Sequence, residues 1–102
     1  LTFRHRYNLE NRFDGGVLEI SIAGGPFADL LTAGGSFLEG GYNDTLRNDL
    51  GLTNPLAGRS AWTGNIALFS SVTATLPVSA SGQNVVLRWR SGTDDLVGAL
   101  GW

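Results

Sequence analysis

The first 23 residues, LTFRHRYNLENRFDGGVLEISIA (1–23), carry the pattern that decides the fold. Odd positions between 1 and 9 hold apolar or aromatic side chains or His5, and even positions between 2 and 10 hold polar ones. The alternation returns over 17–23, after an Asp-Gly-Gly sequence that is typical of turns. Because alternation with a period of two is the signature of half-buried strands, we expect a strand, a turn and a second strand.

The same alternation appears over 72–76 and 84–91, and pairs of glycines separate the early segments. Two short strands are expected around one such pair, between residues 27 and 38, and a long Gly-rich loop over 39–61. Regular turn signals between short strands favour an all-β protein. We predict a single domain over residues 1–102, an antiparallel β-sandwich of the jelly-roll type.

Composition excludes several classes of function. The chain has no Cys and a single His, which excludes disulfides, thiol nucleophiles and multi-histidine metal sites. Its net charge is -2 and every basic residue is Arg, so we expect no nucleic-acid partner. Residues 60–87 are uncharged but interrupted by polar side chains, so no membrane span is expected. No nucleophile elbow is present, and we predict that the chain is not an enzyme.

Carboxylates at the two ends of the chain form a candidate metal site. Glu10 and Asp14 flank the first turn, where Gly15 and Gly16 would let carbonyls curl toward an ion. Ca²⁺ prefers six to eight hard oxygen ligands. Asp94 and Asp95 would join the site if the terminal strands were neighbours. The alternative is that Asp14-Gly15 is a plain hairpin turn and that the two later aspartates lie in a solvated loop.

Four arginines alternate on two predicted strands: Arg4 and Arg6 on the first, Arg88 and Arg90 on the last. If these strands paired, the four guanidinium groups would share one face and could bind an anionic partner such as an acidic polysaccharide. The alternative is a set of intramolecular ion pairs with carboxylates of the chain, the candidates being Glu10, Glu19 and Asp94.

Aromatic residues offer a second binding hypothesis. Tyr42 and Trp62, together with Trp102, stand in Gly-rich or loop contexts, where they could stack on sugars. Packing in the core is the alternative for each of them. His5 alternates with Phe3 and Tyr7, so we interpret it as a hydrogen-bonded core histidine rather than a base or ligand.

Four segments resemble a known family: FRHRYNLENRFDGGVLEIS (3–21), GGSFLEGGYN (34–43), NPLAGRSAW (54–62) and LRWRSGTDDLVGALGW (87–102). They are similar to the jelly-roll accessory domains of bacterial secreted peptidases and surface adhesins, which are related in shape to MAM and laminin-G-like sandwiches. The first and last segments are the more specific ones. This resemblance implies a non-catalytic, extracellular β-sandwich, often with a structural calcium.

We therefore predict a structural or adhesion module of a secreted or surface protein. One alternative is a carbohydrate-binding module that targets a neighbouring enzyme. The other is a subunit of an extracellular assembly, completed by strand exchange with a neighbouring domain or chain. The resemblance implies a further strand after Trp102, so we expect that this strand is missing or that another segment or chain takes its place. The start at Leu1, without a leader, fits a processed segment of an exported protein.

Overall fold

A computed structural model describes residues 1–49, 53–94 and 101–102. As predicted, this part of the chain is all-β and its strands pair in antiparallel fashion. It contains a single 3-10 turn, Val78–Ala80, and no helix that is long and apolar enough to cross a bilayer. The strands are β1 (Thr2–Asn8), β2 (Gly15–Ile22), β3 (Ala28–Asp29), β4 (Ser36–Glu39), β5 (Asp44–Thr45), β6 (Ser60–Ala61), β7 (Asn65–Thr75) and β8 (Val85–Gly92).

The strands form two three-stranded sheets and one small two-stranded sheet. The first sheet has the order β1-β7-β4, with Phe3 opposite Val72. The second has the order β3-β2-β8, and its β2–β8 ladder runs unbroken from Gly15↔Gly92 to Ile22↔Val85. Strands β5 and β6 pair with each other. Strands β1 and β2 are consecutive but lie in different sheets, so the turn between them is a crossing and not a hairpin.

The main core is formed by side chains from both three-stranded sheets. Tyr7 and Val72 contribute from one sheet, and Leu18 and Ile20 from the other. These are side chains that the alternation assigned to buried faces, because every second residue of a strand points to the same side. Trp62 fills the centre and is 1% exposed. The alternation along the strands thus correctly identifies the side chains that each sheet contributes to the core.

A smaller core lies under the long loop predicted for 39–61. Leu46 and Leu56 from this segment pack with Ala61 against Val17, on the outer face of β2. The described parts of this segment are therefore packed against the outer face of β2. This packing explains why the outer face of β2 is buried, although the outer face of an alternating strand would be expected to be exposed to solvent.

The glycine pairs have two different physical roles. Gly24 and Gly34 have positive φ angles of 77° and 104°, as turns require. Gly15 and Gly16 instead lie inside β2. A Cβ on Gly16 would sit 2.6 Å from the Trp102 ring, and one on Gly15 would sit 2.8 Å from Leu46. Close packing therefore accounts for glycine at both positions. The Gly16 carbonyl, which was expected to turn toward an ion, accepts from the Trp62 N–H at 2.9 Å.

Candidate functional site

The turn between β1 and β2 brings two of the predicted metal ligands together. The N–H groups of Phe13 and Asp14 both donate to the Glu10 carbonyl, at 3.1 and 2.9 Å. Arg12 takes a left-handed conformation with φ of 64° to close this turn. Glu10 and Asp14 therefore stand at the start and end of one tight turn, and the plain-hairpin alternative is wrong because β1 and β2 do not pair.

The β2–β8 ladder brings in a third carboxylate. Gly15 is opposite Gly92, so the residues that follow β8 run past those that precede β2. The Asp94 N–H donates to the Asp14 Oδ1 at 3.0 Å. Ligand atoms of Glu10, Asp14 and Asp94 all lie within 4.8 Å of one another, and we call these three residues the carboxylate cluster. Asp95, the fourth predicted ligand, lies outside the described residues.

Two buried polar side chains that were not predicted from the sequence hold this region together through hydrogen bonds. The Asn54 amide donates to the Phe13 carbonyl at 2.6 Å and to the Gly92 carbonyl at 3.1 Å, so it ties the turn to the end of β8. The Thr63 hydroxyl donates to the Asp14 carbonyl at 2.6 Å. Both residues lie in irregular segments, where no periodic pattern in the sequence distinguishes them.

The electrostatics of the carboxylate cluster disfavour charge. Asp14 is 1% exposed, and burial is the main reason why its pKa is raised, with the Asp94 charge adding to it. The pKa of Glu10 is also raised, by desolvation first and then by the charges of Asp94 and Asp14. The Glu10 Oε2 is buried and has no hydrogen-bond partner among the described residues. The site therefore holds several carboxylate oxygens close together. Among the described residues, no cationic side chain pairs with Glu10 or Asp14.

The four predicted arginines do not share a face. Strand β1 pairs with β7 and β8 pairs with β2, so the pairing of the first and last strands on which that hypothesis depended does not occur. On β1, Arg4 donates to the Phe69 carbonyl at 3.3 Å, and Arg6 lies 5.3 Å from the Phe69 ring centroid. Arg88 and Arg90 face Glu19, as the alternative of intramolecular ion pairs expects.

Glu19 is the centre of an ion network on the outer face of the second sheet. It accepts from Arg88 at 2.6 Å and from Arg59 at 2.9 Å. Arg59 also donates to Asp29 at 2.9 Å, and Arg90 lies 3.8 Å from Glu19. We call these five residues the arginine network. Arg59 comes from the long loop, and its role was not predicted because only the tertiary fold brings that loop over β2.

The two aromatic residues predicted to bind sugars are used by the fold. Trp62 is buried between the sheets and donates from Nε1 to the Gly40 carbonyl at 2.8 Å. The Tyr42 hydroxyl accepts from the Leu18 N–H at 2.9 Å and lies 3.0 Å from an Asp29 carboxylate oxygen. Burial raises the pKa of the Tyr42 phenol. The stacking role predicted for Trp62 is therefore wrong, and the Tyr42 hydroxyl already serves the protein interior.

His5 and Trp102 lie on the inner side of the first sheet. Trp102 donates from Nε1 to His5 Nδ1 at 3.1 Å, and burial lowers the pKa of His5. The prediction of a hydrogen-bonded core histidine is confirmed. Trp102, the third aromatic considered for sugar binding, packs against Gly16 and stays partly exposed.

The chain was compared with family models, with curated proteins and with solved structures. None of these three comparisons found a match.

Proposed function

We propose that this chain is a non-catalytic structural or adhesion module of a secreted or surface protein, with a structural calcium ion. The jelly-roll β-sandwich of bacterial accessory domains is the proposed architecture. Two observations support it: the main core combines side chains from both antiparallel three-stranded sheets, and consecutive strands cross from one sheet to the other. The resemblance of the first and last segments to that family supports the extracellular location.

The convergence of three carboxylates carries the calcium proposal. Glu10, Asp14 and Asp94 come from opposite ends of the chain, and folding places their oxygens within 4.8 Å. Like charges at such distances repel, so the fully charged cluster is unfavourable unless protonation or a cation balances it, and a bound cation would do so at neutral pH. No ion pair in the described ranges involves Glu10 or Asp14.

The chemistry of the donor set fits calcium. All three groups offer hard carboxylate oxygens, which are the ligands that Ca²⁺ prefers, and no softer ligand is needed. The buried Glu10 Oε2, which lacks a hydrogen-bond partner in the described residues, is an oxygen that an ion would satisfy. A bound cation would link the β1–β2 turn to the end of β8 and so stabilise the fold.

Thermal unfolding in calcium and in chelator tests this proposal. At 100 times the dissociation constant, a ligand specific for the folded state adds about 2.7 kcal/mol of stability, which raises the melting temperature by several degrees. We expect this rise in millimolar CaCl₂ for the wild-type chain and for the control Glu39→Gln, whose carboxylate is exposed. Asp14→Asn removes it. Equal wild-type melting temperatures in EDTA and in CaCl₂ would overturn the proposal.

The carbohydrate-binding alternative receives less support than it had from the sequence. Two of its three candidate stacking residues, Trp62 and Tyr42, are occupied by core packing and internal hydrogen bonds. The assembly alternative depends on an open sheet edge, and β1 and β8 are edge strands of their sheets.

A further inference from the structure

The outer edges of β1 and β8 face a common groove, which we call the seam. Both are the last strands of their sheets. The Phe3 and Trp89 rings meet edge to face with centroids 5.2 Å apart, which brings the two edges to the same side of the molecule. The groove has a volume of about 700 Å³ and is lined by Phe3, His5, Phe69, Trp89 and Trp102, among other residues of these strands.

Two tryptophans on the inner side of the sheets are exposed in the seam. Trp89 is opposite Leu18 in the β2–β8 ladder and so points to the inner side of its sheet. It is nevertheless 43% exposed, and Trp102 is 36% exposed. A tryptophan on an inner face normally packs against a covering element, so among the described residues the core is open here.

Main-chain groups of both edge strands also face the seam. Leu1 and Ala74 exchange two hydrogen bonds, so the alternation of an antiparallel ladder turns the N–H and C=O of Thr2 and Arg4 away from β7. On β8, the same reasoning from the Ala23–Asn84 bond turns the groups of Trp89 away from β2. Unpaired rows of this kind are templates for another strand.

A short contact defines how a strand would lie along β1. Asn8 and Gly101 exchange both of their main-chain hydrogen bonds, each at 2.8 Å, in antiparallel orientation. The next side chain, Trp102, points inward to His5. A strand in this register would place alternate side chains inward over the aromatic groove and the others outward beside Arg6 and Arg4.

The charges beside this edge specify the partner. Arg4 and Arg6 have no carboxylate within 4.0 Å in the part of the chain that the structure describes, and their contacts are with Phe69. If a second copy paired with this edge through its own β1 or β8, arginines of both copies would lie on neighbouring strands. Like charges on neighbouring strands are destabilising, so pairing between copies through these two edges is disfavoured.

We propose that the seam binds an extended segment of another protein in which apolar residues alternate with Asp or Glu. The segment adds antiparallel to β1, its apolar side chains cover Trp89 and Trp102, and its carboxylates meet Arg4 and Arg6. This inference rests on the proposed adhesion role and identifies the seam as the surface used for it. It does not depend on calcium.

Fluorescence anisotropy with labelled peptides tests the inference. The probes are two acetylated octapeptides, one alternating Val with Glu and the other alternating Val with Lys. We expect the Glu peptide to bind at least about tenfold more tightly, since a difference of 1.4 kcal/mol corresponds to that factor. The double variant Arg4→Glu/Arg6→Glu should reverse the preference, and Arg47→Glu, which changes a half-buried arginine outside the seam, should leave it unchanged.

Backbone methylation separates strand addition from simple charge attraction. In the Asn8–Gly101 register, the residues beside the arginines turn their N–H groups toward β1. N-methylation of the Glu residues should therefore abolish binding, and N-methylation of the Val residues should not. Equal loss from both patterns would overturn strand addition. Dimerisation of the free chain that masks the edge, or binding of an acidic oligosaccharide in place of the peptide, would overturn the proposed partner.

The calcium test and the peptide test fail separately. If the wild-type chain binds the Glu peptide equally well in EDTA, the seam stands without the cation. If calcium stabilises the chain and no peptide binds, the structural role stands and the seam proposal is wrong.

Discussion

The arginine network and the carboxylate cluster both concentrate acidic side chains, but they treat the charge in opposite ways. Glu19, which is 4% exposed, is surrounded by guanidinium groups from β8 and from the long loop. Asp14 is even more deeply buried, and its nearest charged neighbours are the carboxylates of Glu10 and Asp94. The chain therefore neutralises one buried acid with its own cations and leaves the other in acidic surroundings.

The pKa directions record this difference. At Glu19 burial favours the neutral form, but hydrogen bonds from Arg59 and Arg88 and their charges outweigh it and lower the pKa. At Asp14 and Glu10 burial acts together with the neighbouring negative charges, and the pKa of each is raised. Arginines therefore stabilise the charged form of Glu19, whereas the surroundings of Asp14 and Glu10 favour the neutral acid.

Removing the central acid of the arginine network should have the largest effect. Glu19→Gln leaves Arg88 without its carboxylate and Arg59 with Asp29 alone, and breaking such a buried pair costs about 2–3 kcal/mol after allowance for the partial exposure of both arginines. Urea unfolding measures the loss. Glu39→Gln is the control and should change stability by no more than about 0.5 kcal/mol. If the two variants unfold alike, the network is not a stabilising element.

Replacing the bridging arginine should have an intermediate effect. Arg59 contacts Glu19 and Asp29 with separate nitrogens, each at 2.9 Å, and a lysine offers a single point charge instead of this fork. We expect Arg59→Lys to cost about 1–2 kcal/mol in the same assay. Arg88→Lys should cost less, because Arg88 is more exposed and contacts a single carboxylate. The reverse order would show that the long loop is not held by its arginine.

The smallest effect should have the opposite sign. In calcium-free buffer at pH 7, Asp14→Asn removes one of three repelling charges and should stabilise the chain by about 1 kcal/mol, the repulsion of two unit charges about 4 Å apart in water. Because the folded-state pKa is raised, the wild type regains this stability as the pH falls toward ordinary carboxyl values. Melting temperatures of both chains from pH 7 to 4 check this convergence. A constant difference, or a destabilised variant at pH 7, would contradict it.

Local sequence patterns were sufficient to predict several strands and their buried faces. The alternation over 1–10 and 17–23 predicted β1 and β2 and their buried faces, because side-chain direction within a strand depends on the backbone alone. Short strands around Gly34-Gly35 were likewise confirmed as β3 and β4. The pattern could not assign strands to sheets. The arginine hypothesis depended on pairing of the first and last strands, which does not occur because β2, not β1, pairs with β8.

Part of the candidate site could likewise be predicted from local sequence, and the rest could not. Glu10 and Asp14 were recognisable from one turn, since they are close in sequence. Their approach to Asp94 follows from the β2–β8 register, which no local pattern specifies. Trp62 illustrates the opposite error: its loop context favoured exposure, yet the packing of both sheets around it buries the ring.

The sequence by itself determined the all-β class, most strand faces, the turn glycines with positive φ and the residue types available for binding. These properties depend on backbone sterics and on the period of a strand. Tertiary structure alone decided that Glu19 receives three arginines, that Asp14 receives two carboxylates and that the edges of β1 and β8 open onto one seam. Each of these joins residues far apart in the chain, and their distances are set by strand pairing and by the packing of the two sheets.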